Sequence, residues 1–594
     1  MPRRWIYALV FSLIPQSILA TEIPPVLLPD VPVKSEIPQA LRLAEKSALP
    51  PLAVLRSAES GAVDQLDAIA AWNGSGRIPV RNGFSRPLPE PRTVRFTAEL
   101  LKSQPSQLAG GSLLVPPSGG VVWGAEVQVA SSERLRLHLS NVDLPVGTQM
   151  WVYDQDGKEV AFDAAAVTQG SELWTPSVAG PAVRFEVRLP EGAVEGYGFK
   201  IDQVLELFDL DAKGAPVLGT GDASLSAKED TSCARNAACY SASTLSFMDV
   251  FKRAAAYLEF VDGGLGYSCS GGLMNDTDSS TNIPYLLTAH HCFSTQAAAS
   301  TLEAFFDYIT PTCSGSSQPS LSSLPRVNGA TLLATGAPTD FTFLRLSSLP
   351  SGRGLLGATN QAVTNSTLLY RLSFPLGASM GYSVSTMSTS VDICSDAPRS
   401  RFLYSVRSLG AIFEGSSGSP VVRSDGLVVG QLTGSCGPMA QDDEGCDASN
   451  ALVDGAMAAG TWAAVSQWLN PAPPTAPSTC TPSATTLCLG TGGRFKVEAT
   501  YDTGTQSGQA QTVKLTDDSG YLWFFDASNV EAVVKVLDAC GYNSRYWVYA
   551  GGLTDVQVVL TVTDTKTGTV KTYANPQKTA FQPIQDVNAF ATCP

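Results

Sequence analysis

The sequence predicts an all-β protein, and three observations lead to this class. Glycine and proline are abundant, at 52 and 39 residues, whereas charged residues form only 16% of the chain. This balance favours short strands and turns over long solvated helices. Residues 121–207 and 480–594 contain runs in which apolar and polar residues alternate, which is the period of a half-buried strand. Apolar residues form 44% of the 594, so packed cores are expected and a disordered chain is excluded.

The N-terminus has the pattern of an export signal. Arg3 and Arg4 precede an apolar run that ends at Ala20, a small residue suited to signal-peptidase cleavage. We therefore expect residues 1–20 to be a signal peptide and the protein to be secreted; a retained membrane anchor is the alternative. Because no comparable apolar run follows, the mature chain is expected not to span a bilayer as a helix. A net charge of −15 argues against nucleic acid as the main partner.

Composition divides the rest of the chain into a pro-region, a cysteine-bearing domain and a tail. Residues 21–228 lack cysteine, contain the first set of alternating runs, and end in a small, polar stretch typical of an exposed linker. Residues 229–470 form the predicted cysteine-bearing domain. A Pro-rich linker, residues 471–479, then leads to a predicted accessory β domain of sandwich-like type, residues 480–594.

The cysteines indicate disulfides and an oxidising compartment. Both clusters have even numbers, so each can pair within itself: Cys233, Cys239, Cys269, Cys292, Cys313, Cys394, Cys436 and Cys446 in the central domain, and Cys480, Cys488, Cys540 and Cys593 in the tail. The chain has no Cys-x-x-Cys pair and only three histidines. We therefore predict neither a metal site nor a cofactor.

Three motifs of the central domain place chemically active residues in the order His, Asp, Ser. Residues 288–292 read Thr-Ala-His-His-Cys, Asp340 opens an alternating strand, and Ser417 lies in the run Gly-Ser-Ser-Gly-Ser-Pro at 415–420. A serine hydroxyl becomes nucleophilic when an imidazole takes its proton, and a buried carboxylate fixes the imidazole tautomer. The glycines allow a tight turn whose Gly415 and Ser417 N–H groups would stabilise an oxyanion.

These motifs resemble those of chymotrypsin-like serine proteases and are most similar to the bacterial lysyl endopeptidase branch. The resemblance spans about residues 230–470 and includes the segments YSCSGGLMND and GQLTGS. It implies a double β-barrel with the active site between the barrels, and it selects His291 over His290 as the base. It also implies the disulfides Cys269–Cys292 and Cys239–Cys313, with Cys233 joined to Cys436 or Cys446 and the other left for Cys394.

Substrate preference is predicted from the residues that follow the nucleophile. The resemblance places the wall of the primary specificity pocket at Thr433 and Gly434, and an acidic pocket residue at Asp447. The sequence departs from the family here, because the aromatic-Gly-Arg run is absent after Asp447 and Thr433 stands where many members have His. A solvated or calcium-binding loop is the alternative for this acidic segment. Residues 229–470 contain ten Arg but one Lys, Lys252, which favours an enzyme that cleaves after Lys and spares itself.

Maturation is predicted to involve the pro-region. Ser416 stands where trypsin-like zymogens have an Asp that pairs with a new α-amino group, so the pro-domain is expected to act instead as an intramolecular chaperone or inhibitor. Lys228 is the predicted self-cleavage residue. The predicted function is a secreted serine endopeptidase with protein or peptide substrates and a preference for Lys at P1. The alternatives are a catalytically silent binding or adhesion protein and a protease of non-basic specificity.

Overall fold

A computed structural model describes most of the chain: residues 21–30, 39–46, 49–56, 60–99, 105–116, 120–130, 132–163, 171–192, 196–211, 214–217, 233–278, 281–315, 318–437, 450–470, 480–543 and 545–593. Strands dominate, which confirms the predicted all-β class. Contacts divide the chain into two compact units, residues 1–470 and 471–594. Ala20, Lys228, Cys446 and Asp447 lie outside the described residues. No helix among the described residues is long and apolar enough to cross a membrane.

The N-terminal part of the first unit contains a β-sandwich. Its helices are α1 (Leu43–Lys46) and α2 (Ser60–Asn73). Its strands are β3 (Ala53–Arg56), β4 (Val80–Arg95), β5 (Gln107–Leu108), β6 (Gly111–Leu114), β7 (Val121–Ala130), β8 (Arg134–Asp143), β9 (Gln149–Tyr153), β10 (Glu159–Asp163), β11 (Ser171–Trp174), β12 (Val178–Ala179), β13 (Ala182–Leu189) and β14 (Gly198–Leu207). Two short strands, β1 (Glu22–Ile23) and β2 (Val26–Leu27), precede the sandwich in the chain. One sheet has the order β10-β9-β13-β7-β6-β5, and β11-β8-β14-β4 run together in the other. The core between the sheets contains Trp123, Phe185 and Phe199.

The cysteine-bearing part of the first unit forms closed barrels, as expected for the double β-barrel. Its helices are α3 (Met248–Ala254), α4 (Gln296–Ser300) and α5 (Thr461–Leu469). Its first strands are β15 (Ala255–Asp262), β16 (Leu265–Met274), β17 (Tyr285–Ala289), β18 (Glu303–Phe306), β19 (Arg326–Asn328), β20 (Ala330–Gly336) and β21 (Phe341–Leu346). The later strands are β22 (Gly354–Leu355), β23 (Gly357–Thr359), β24 (Leu368–Ser373), β25 (Gly381–Met387), β26 (Phe402–Leu409), β27 (Pro420–Val422), β28 (Leu427–Cys436) and β29 (Ala451–Ala456). We call β15–β21 the first barrel and β22–β29 the second barrel.

The N-terminal sandwich and the first barrel share one continuous sheet. Strand β4 pairs antiparallel with β16, with Val80 opposite Ser268 and Phe84 opposite Leu265. Strand pairing of this kind satisfies the backbone groups of both edges. The predicted boundary between pro-region and protease therefore lies between two parts that are joined by main-chain hydrogen bonds.

Buried charges reinforce this junction. Arg134 of β8 pairs with Glu259 of β15, and Asn82 donates to the same carboxylate over 2.7 Å. Arg136 lies 3.7 Å from Glu303 of β18, whose carboxylate also accepts the Ser177 N–H at 3.0 Å. Since buried charges are costly unless paired, the arginines of the sandwich and the glutamates of the barrel depend on each other.

The first described residues of the chain lie along the second barrel. Strand β1 pairs with β23 and β2 pairs with β22, both antiparallel. Ile23 is fully buried in the core of the protease-like part. The Asn275 side chain donates to the Pro24 carbonyl over 2.8 Å. Residues 21–30 are thus packed as part of the second barrel, although they precede it by more than 300 positions.

The second unit is a β-sandwich, in agreement with the sandwich-like tail that the sequence predicts. Its strands are β30 (Leu487–Leu489), β31 (Phe495–Asp502), β32 (Ser507–Gln509), β33 (Gln511–Lys514), β34 (Ser519–Trp523), β35 (Ala532–Ala539), β36 (Arg545–Gly552), β37 (Gln557–Asp564), β38 (Val570–Asn575) and β39 (Ile584–Phe590), with the helix α6 (Cys540–Asn543). The sheets have the orders β30-β31-β37-β38 and β33-β34-β35-β36-β39. Disulfides join Cys480 to Cys488 and Cys540 to Cys593.

Candidate active site

His291 and Asp340 lie at the ends of two paired strands. Strand β17 ends at Ala289, β21 begins at Phe341, and these two residues are opposite each other in the ladder. The Asp340 Oδ2 lies 2.8 Å from His291 Nδ1, and its Oδ1 accepts the His291 N–H at 2.9 Å. The carboxylate therefore fixes both the position and the tautomer of the imidazole, so that Nε2 is the ring nitrogen that can accept a proton. This Nε2 is buried and has no hydrogen-bond partner in the described part of the chain.

The two adjacent histidines have different surroundings. His290 Nδ1 lies 2.8 Å from the Thr335 hydroxyl, and its N–H donates to the Asp340 carbonyl over 3.0 Å. Its ring is thus hydrogen-bonded on the first barrel, away from the Asp340 carboxylate. The contacts of the two rings favour His291 as the base.

Asp340 has an unusual backbone conformation that the second barrel supports. Its φ is +52°, in the left-handed region that non-glycine residues rarely adopt. The buried Gln431 of β28 donates its amide N–H to the carbonyls of Thr339 and Asp340, over 2.7 and 3.1 Å. Gln431 of the second barrel thus hydrogen-bonds to the backbone of the first barrel at Asp340. Sequence reasoning missed this residue, because a glutamine in an apolar strand carries no local signal.

Ser417 lies on a tight turn between β26 and β27. Gly415 and Gly418 have φ of +87° and +81°. A Cβ on Gly418 would lie 2.2 Å from the Thr288 hydroxyl oxygen, so only glycine fits between this turn and β17. The Ser417 carbonyl lies 3.8 Å from Cys292 Sγ. The turn therefore packs against residues that flank His291 in the sequence.

The two predicted oxyanion donors have no acceptor in the described part of the chain. The N–H groups of Ser416, Gly418 and Ser419 donate to the carbonyls of Phe413, Leu432 and Ser416, respectively. Within the described residues, the N–H groups of Gly415 and Ser417 donate to no acceptor. Two alternate N–H groups of one turn are thus left for a ligand, which is the arrangement that stabilises an oxyanion. Burial raises the pKa of the neighbouring Glu414 carboxyl.

The predicted specificity residues are only partly described. Thr433 and Gly434 lie on β28, at an irregularity of its pairing with β29. The Thr433 hydroxyl oxygen is buried without a hydrogen-bond partner among the described residues, and a Cβ on Gly434 would meet open space. Asp447 lies outside the described residues. Asn450, three positions after Asp447, is buried with both of its amide atoms unpaired in the described part and lies against Gly437.

Three disulfides of the cysteine-bearing part lie within the described residues, and one of them adjoins His291. Cys269 of β16 is joined to Cys292, beside His291, and Cys239 is joined to Cys313. Cys394 is joined to Cys436 at the end of β28. Cys233 is also disulfide-bonded. No group of three or more His, Cys, Asp or Glu in the described residues could hold a metal ion.

The two barrels have the fold of chymotrypsin-like proteases, and comparison with known proteins finds similarity to lysyl endopeptidase in the cysteine-bearing part of the chain. Residues 227–447 match the family model of the lysyl endopeptidase C-terminal domain. A lysyl endopeptidase of Pseudomonas aeruginosa is 28% identical over 240 residues, which are 39% of this chain and 50% of that protein. Residues 227–447 are therefore homologous to lysyl endopeptidase. The chain spans about half the length of this curated relative.

Solved structures give weaker likenesses. The Rv3671c protease of M. tuberculosis in its active form has a TM-score of 0.25 and 15% identity, over 36% of this chain and 82% of that one. Deg5 has a TM-score of 0.23 and 12% identity, over 32% of this chain and 82% of that one.

Proposed function

We propose that this chain is a secreted serine endopeptidase in which Ser417 is the nucleophile, His291 the general base and Asp340 the residue that orients it. The observation that carries the proposal is the pair of contacts between Asp340 and His291, which leave a buried Nε2 unpaired among the described residues. The Ser417 turn packs against Thr288 and Cys292, which flank this histidine in the sequence. In this reaction the Ser417 Oγ attacks the peptide carbonyl carbon, and its proton passes to His291 Nε2. The Gly415 and Ser417 N–H groups donate to the resulting oxyanion.

The second half of the reaction returns the enzyme to its starting state. The protonated His291 donates to the amine leaving group as the peptide C–N bond breaks, which leaves an acyl group on Ser417. Water then attacks the acyl carbon while His291 takes a proton from it, and the Ser417 Oγ leaves as the hydroxyl. Asp340 remains ionised throughout and stabilises the imidazolium that forms in each half.

A fluorophosphonate probe tests this function against a silent protease fold. The probe forms a bond from Ser417 Oγ to phosphorus, with fluoride as the leaving group, and we expect labelling of the folded chain. Ser417→Ala should abolish it. Ser419→Ala is the matched control, because this buried serine has no partner for its hydroxyl in the described residues. Labelling that persists in Ser417→Ala, or an unlabelled parent chain, would overturn the proposal.

The proposed P1 preference is lysine, read by Asp447 with Thr433 and Gly434 along the pocket wall. The name of the Pseudomonas relative supports it, as does the single lysine among ten arginines in residues 229–470. That lysine, Lys252, is only partly exposed, and its Nζ donates to the Tyr240 carbonyl over 2.5 Å. A protease that cleaves after Lys would thus find no freely extended lysine on this part of its own surface.

Mass-spectrometric mapping of cleavage sites on a denatured protein mixture tests this preference. Peptides should end in Lys far more often than in Arg, and Asp447→Asn should reduce cleavage after Lys while Asp442→Asn should not. Cleavage after apolar residues would instead favour the non-basic alternative.

The proposed partner before maturation is the chain's own pro-domain, residues 21–228, as intramolecular chaperone or inhibitor. The shared sheet and the buried Arg–Glu contacts support this role, because both sides of the junction need the other to satisfy their polar groups. We further propose a signal peptide that ends at Ala20 and self-cleavage after Lys228. N-terminal sequencing of the parent and Ser417→Ala chains tests the cleavage, which the variant should not perform.

A further inference from the structure

Ser270 is a buried serine on β16 that contacts the nucleophile turn twice. Its N–H donates to the Ser417 carbonyl over 2.8 Å, and its hydroxyl donates to the Gly415 carbonyl over 2.7 Å. The same hydroxyl oxygen accepts the Phe374 N–H at 3.0 Å. Ser270 is fully buried. A single side chain of the first barrel thus connects two loops of the second barrel.

The peptide units that carry the two oxyanion donors are fixed through their carbonyl groups. In a planar trans peptide the N–H and C=O point in opposite directions, so an anchored carbonyl sets the direction of the N–H. The Gly415 N–H shares its peptide with the Glu414 carbonyl, which accepts the Leu376 N–H at 2.6 Å. The Ser417 N–H shares its peptide with the Ser416 carbonyl, which accepts the Ser419 N–H at 3.1 Å.

The four carbonyls of residues 414–417 all have a donor, and Ser270 supplies two of these donors. The Gly415 and Ser417 N–H groups remain unpaired in the described residues, although an unpaired buried N–H is unfavourable. A turn that is free to reorient would rotate these groups toward an acceptor. The anchored carbonyls prevent that rotation.

The loop that supplies the Leu376 N–H depends on Ser270 as well. Leu376 has a φ of +50°, which is strained for a leucine. The loop is held at Phe374 by the Ser270 hydroxyl and at Gly377 by the Tyr308 hydroxyl, which donates to the Gly377 carbonyl over 3.1 Å. These contacts keep Leu376 in the one conformation that directs its N–H to Glu414.

We propose that Ser270 is a positioning residue that keeps the oxyanion site formed, by holding the turn at Gly415 and Ser417 and the loop at Phe374. This inference rests on the proposed function of the Gly415 and Ser417 N–H groups. This role of Ser270 explains how the oxyanion site can form although residue 416 is an uncharged serine. Trypsin-like zymogens have at this position an Asp that forms an ion pair. The hydroxyl of a neighbouring strand replaces the charge pair.

Steady-state kinetics of Ser270→Ala on a peptide amide substrate test the inference, with rates normalised to titrated active sites. Because the donors are loosened but not removed, kcat should fall roughly 10- to 100-fold, less than or equal to the loss of a whole donor. KM should change little, since the ground-state carbonyl needs the donors less than the oxyanion does. The affinity for a peptide aldehyde, which binds as a tetrahedral adduct, should fall in parallel with kcat.

Two further variants separate positioning from general stability. Ser270→Thr keeps the hydroxyl and should recover most of kcat. Ser405→Ala is the matched control, because Ser405 is a fully buried serine of β26 whose hydroxyl donates to Ser385 over 2.9 Å and not to any residue of the turn. It should leave kcat and aldehyde affinity unchanged.

The result that overturns the inference is a Ser270→Ala enzyme whose kcat and aldehyde affinity match those of Ser405→Ala. An equal loss in both variants would also overturn it, because the effect would then be a general one. Failure of the proposed function is distinguishable, since it would appear as peptide hydrolysis that survives in Ser417→Ala.

Discussion

The first barrel carries His291 and Asp340 at neighbouring strand ends, where a carboxylate holds an imidazole. The second barrel carries Ser417 on a turn held by hydroxyl and amide groups without a charge. The difference follows the chemistry that each half is proposed to perform. An imidazole that gains a proton needs a fixed negative charge beside it, whereas N–H donors need only a rigid direction.

The same contrast extends to the buried ion pairs of the two barrels. Glu303 of the first barrel contacts Arg136, Arg326 and the Ser177 N–H. Among the described residues, the Asp454 carboxylate of the second barrel pairs with Arg371 alone, and its Oδ2 has no partner. The two carboxylates are equally buried, but we expect their loss to affect stability differently, because Glu303 has more donors around it than Asp454.

Loss of the carboxylate in the first half of the site is expected to have the largest effect. Asp340→Asn should reduce kcat by ~10⁴-fold at neutral pH, because an amide favours the wrong imidazole tautomer. The fold should persist, since an Asn oxygen can still accept the His291 N–H. Hydrolysis of a peptide amide checks the rate, and Asp425→Asn, at an exposed turn, is the control. Near-normal turnover would mean that another carboxylate orients His291.

Loss of the well-paired carboxylate at the sandwich junction should be the largest effect on stability. Glu303→Gln leaves Arg136 and Arg326 buried without a counter-charge, which we expect to cost about 3–5 kcal/mol. Asp454→Asn should cost less, because burial already disfavours that charge. Urea unfolding of both variants in the Ser417→Ala background, where the chain is not expected to cleave itself, measures the difference. A larger loss for Asp454→Asn would contradict the comparison.

The pH dependence of these two variants should have opposite signs. Burial by itself raises the pKa of Glu303, but Arg136 and Arg326 overcome this and hold that pKa below its ordinary value. Burial raises the pKa of Asp454, and Arg371 does not offset it. A lowered pKa gives stability that is present above the unfolded value of about 4.3 and is lost as pH falls. A raised pKa gives stability that is lost as pH rises above the unfolded value of about 3.9.

Melting temperatures between pH 3 and pH 7 check these signs. The deficit of Glu303→Gln relative to its parent should shrink as pH falls below about 4.3. The deficit of Asp454→Asn should instead shrink as pH rises from about 3.9. If the melting-temperature deficits of the two variants changed with pH in the same direction, the donors around the carboxylates would not determine the sign of the pH dependence.

The sequence predicted the fold class because alternation and turn residues are local signals, and it yielded His291, Asp340 and Ser417 as candidates because each one stands in a short motif. The pairing of β4 with β16 was not predictable in the same way, since no local pattern selects an edge partner about 180 positions away. Ser270 and Gln431 were missed for a related reason. A buried polar side chain in an apolar strand is recognisable only when its hydrogen-bond partners, which come from other strands, are known.

The smallest expected effect comes from the neutral residue that precedes the nucleophile. The buried Ser416 hydroxyl accepts from the Ser373 hydroxyl at 3.0 Å and from the Phe413 N–H at 3.4 Å. Ser416→Ala removes these contacts but keeps the backbone bonds of the turn, so it should cost ~1 kcal/mol of stability. If the whole of this free energy were added to the activation barrier of the reaction, kcat would fall by less than about tenfold.

The contrasting variant is Ser416→Asp, which places a carboxylate in a buried position whose neighbours hydrogen-bond to a hydroxyl. Because a buried, unpaired charge is costly, this variant should lose far more activity than Ser416→Ala. Both rates are measured on the peptide amide used for Asp340→Asn, so that the two halves of the site are compared directly. If Ser416→Ala lost as much kcat as Asp340→Asn, this would contradict the view that the Ser417 turn is held by its backbone contacts and needs no charge. In that case the hydroxyl at 416, and not the anchored carbonyls around it, would be what keeps the Gly415 and Ser417 N–H groups directed at the oxyanion.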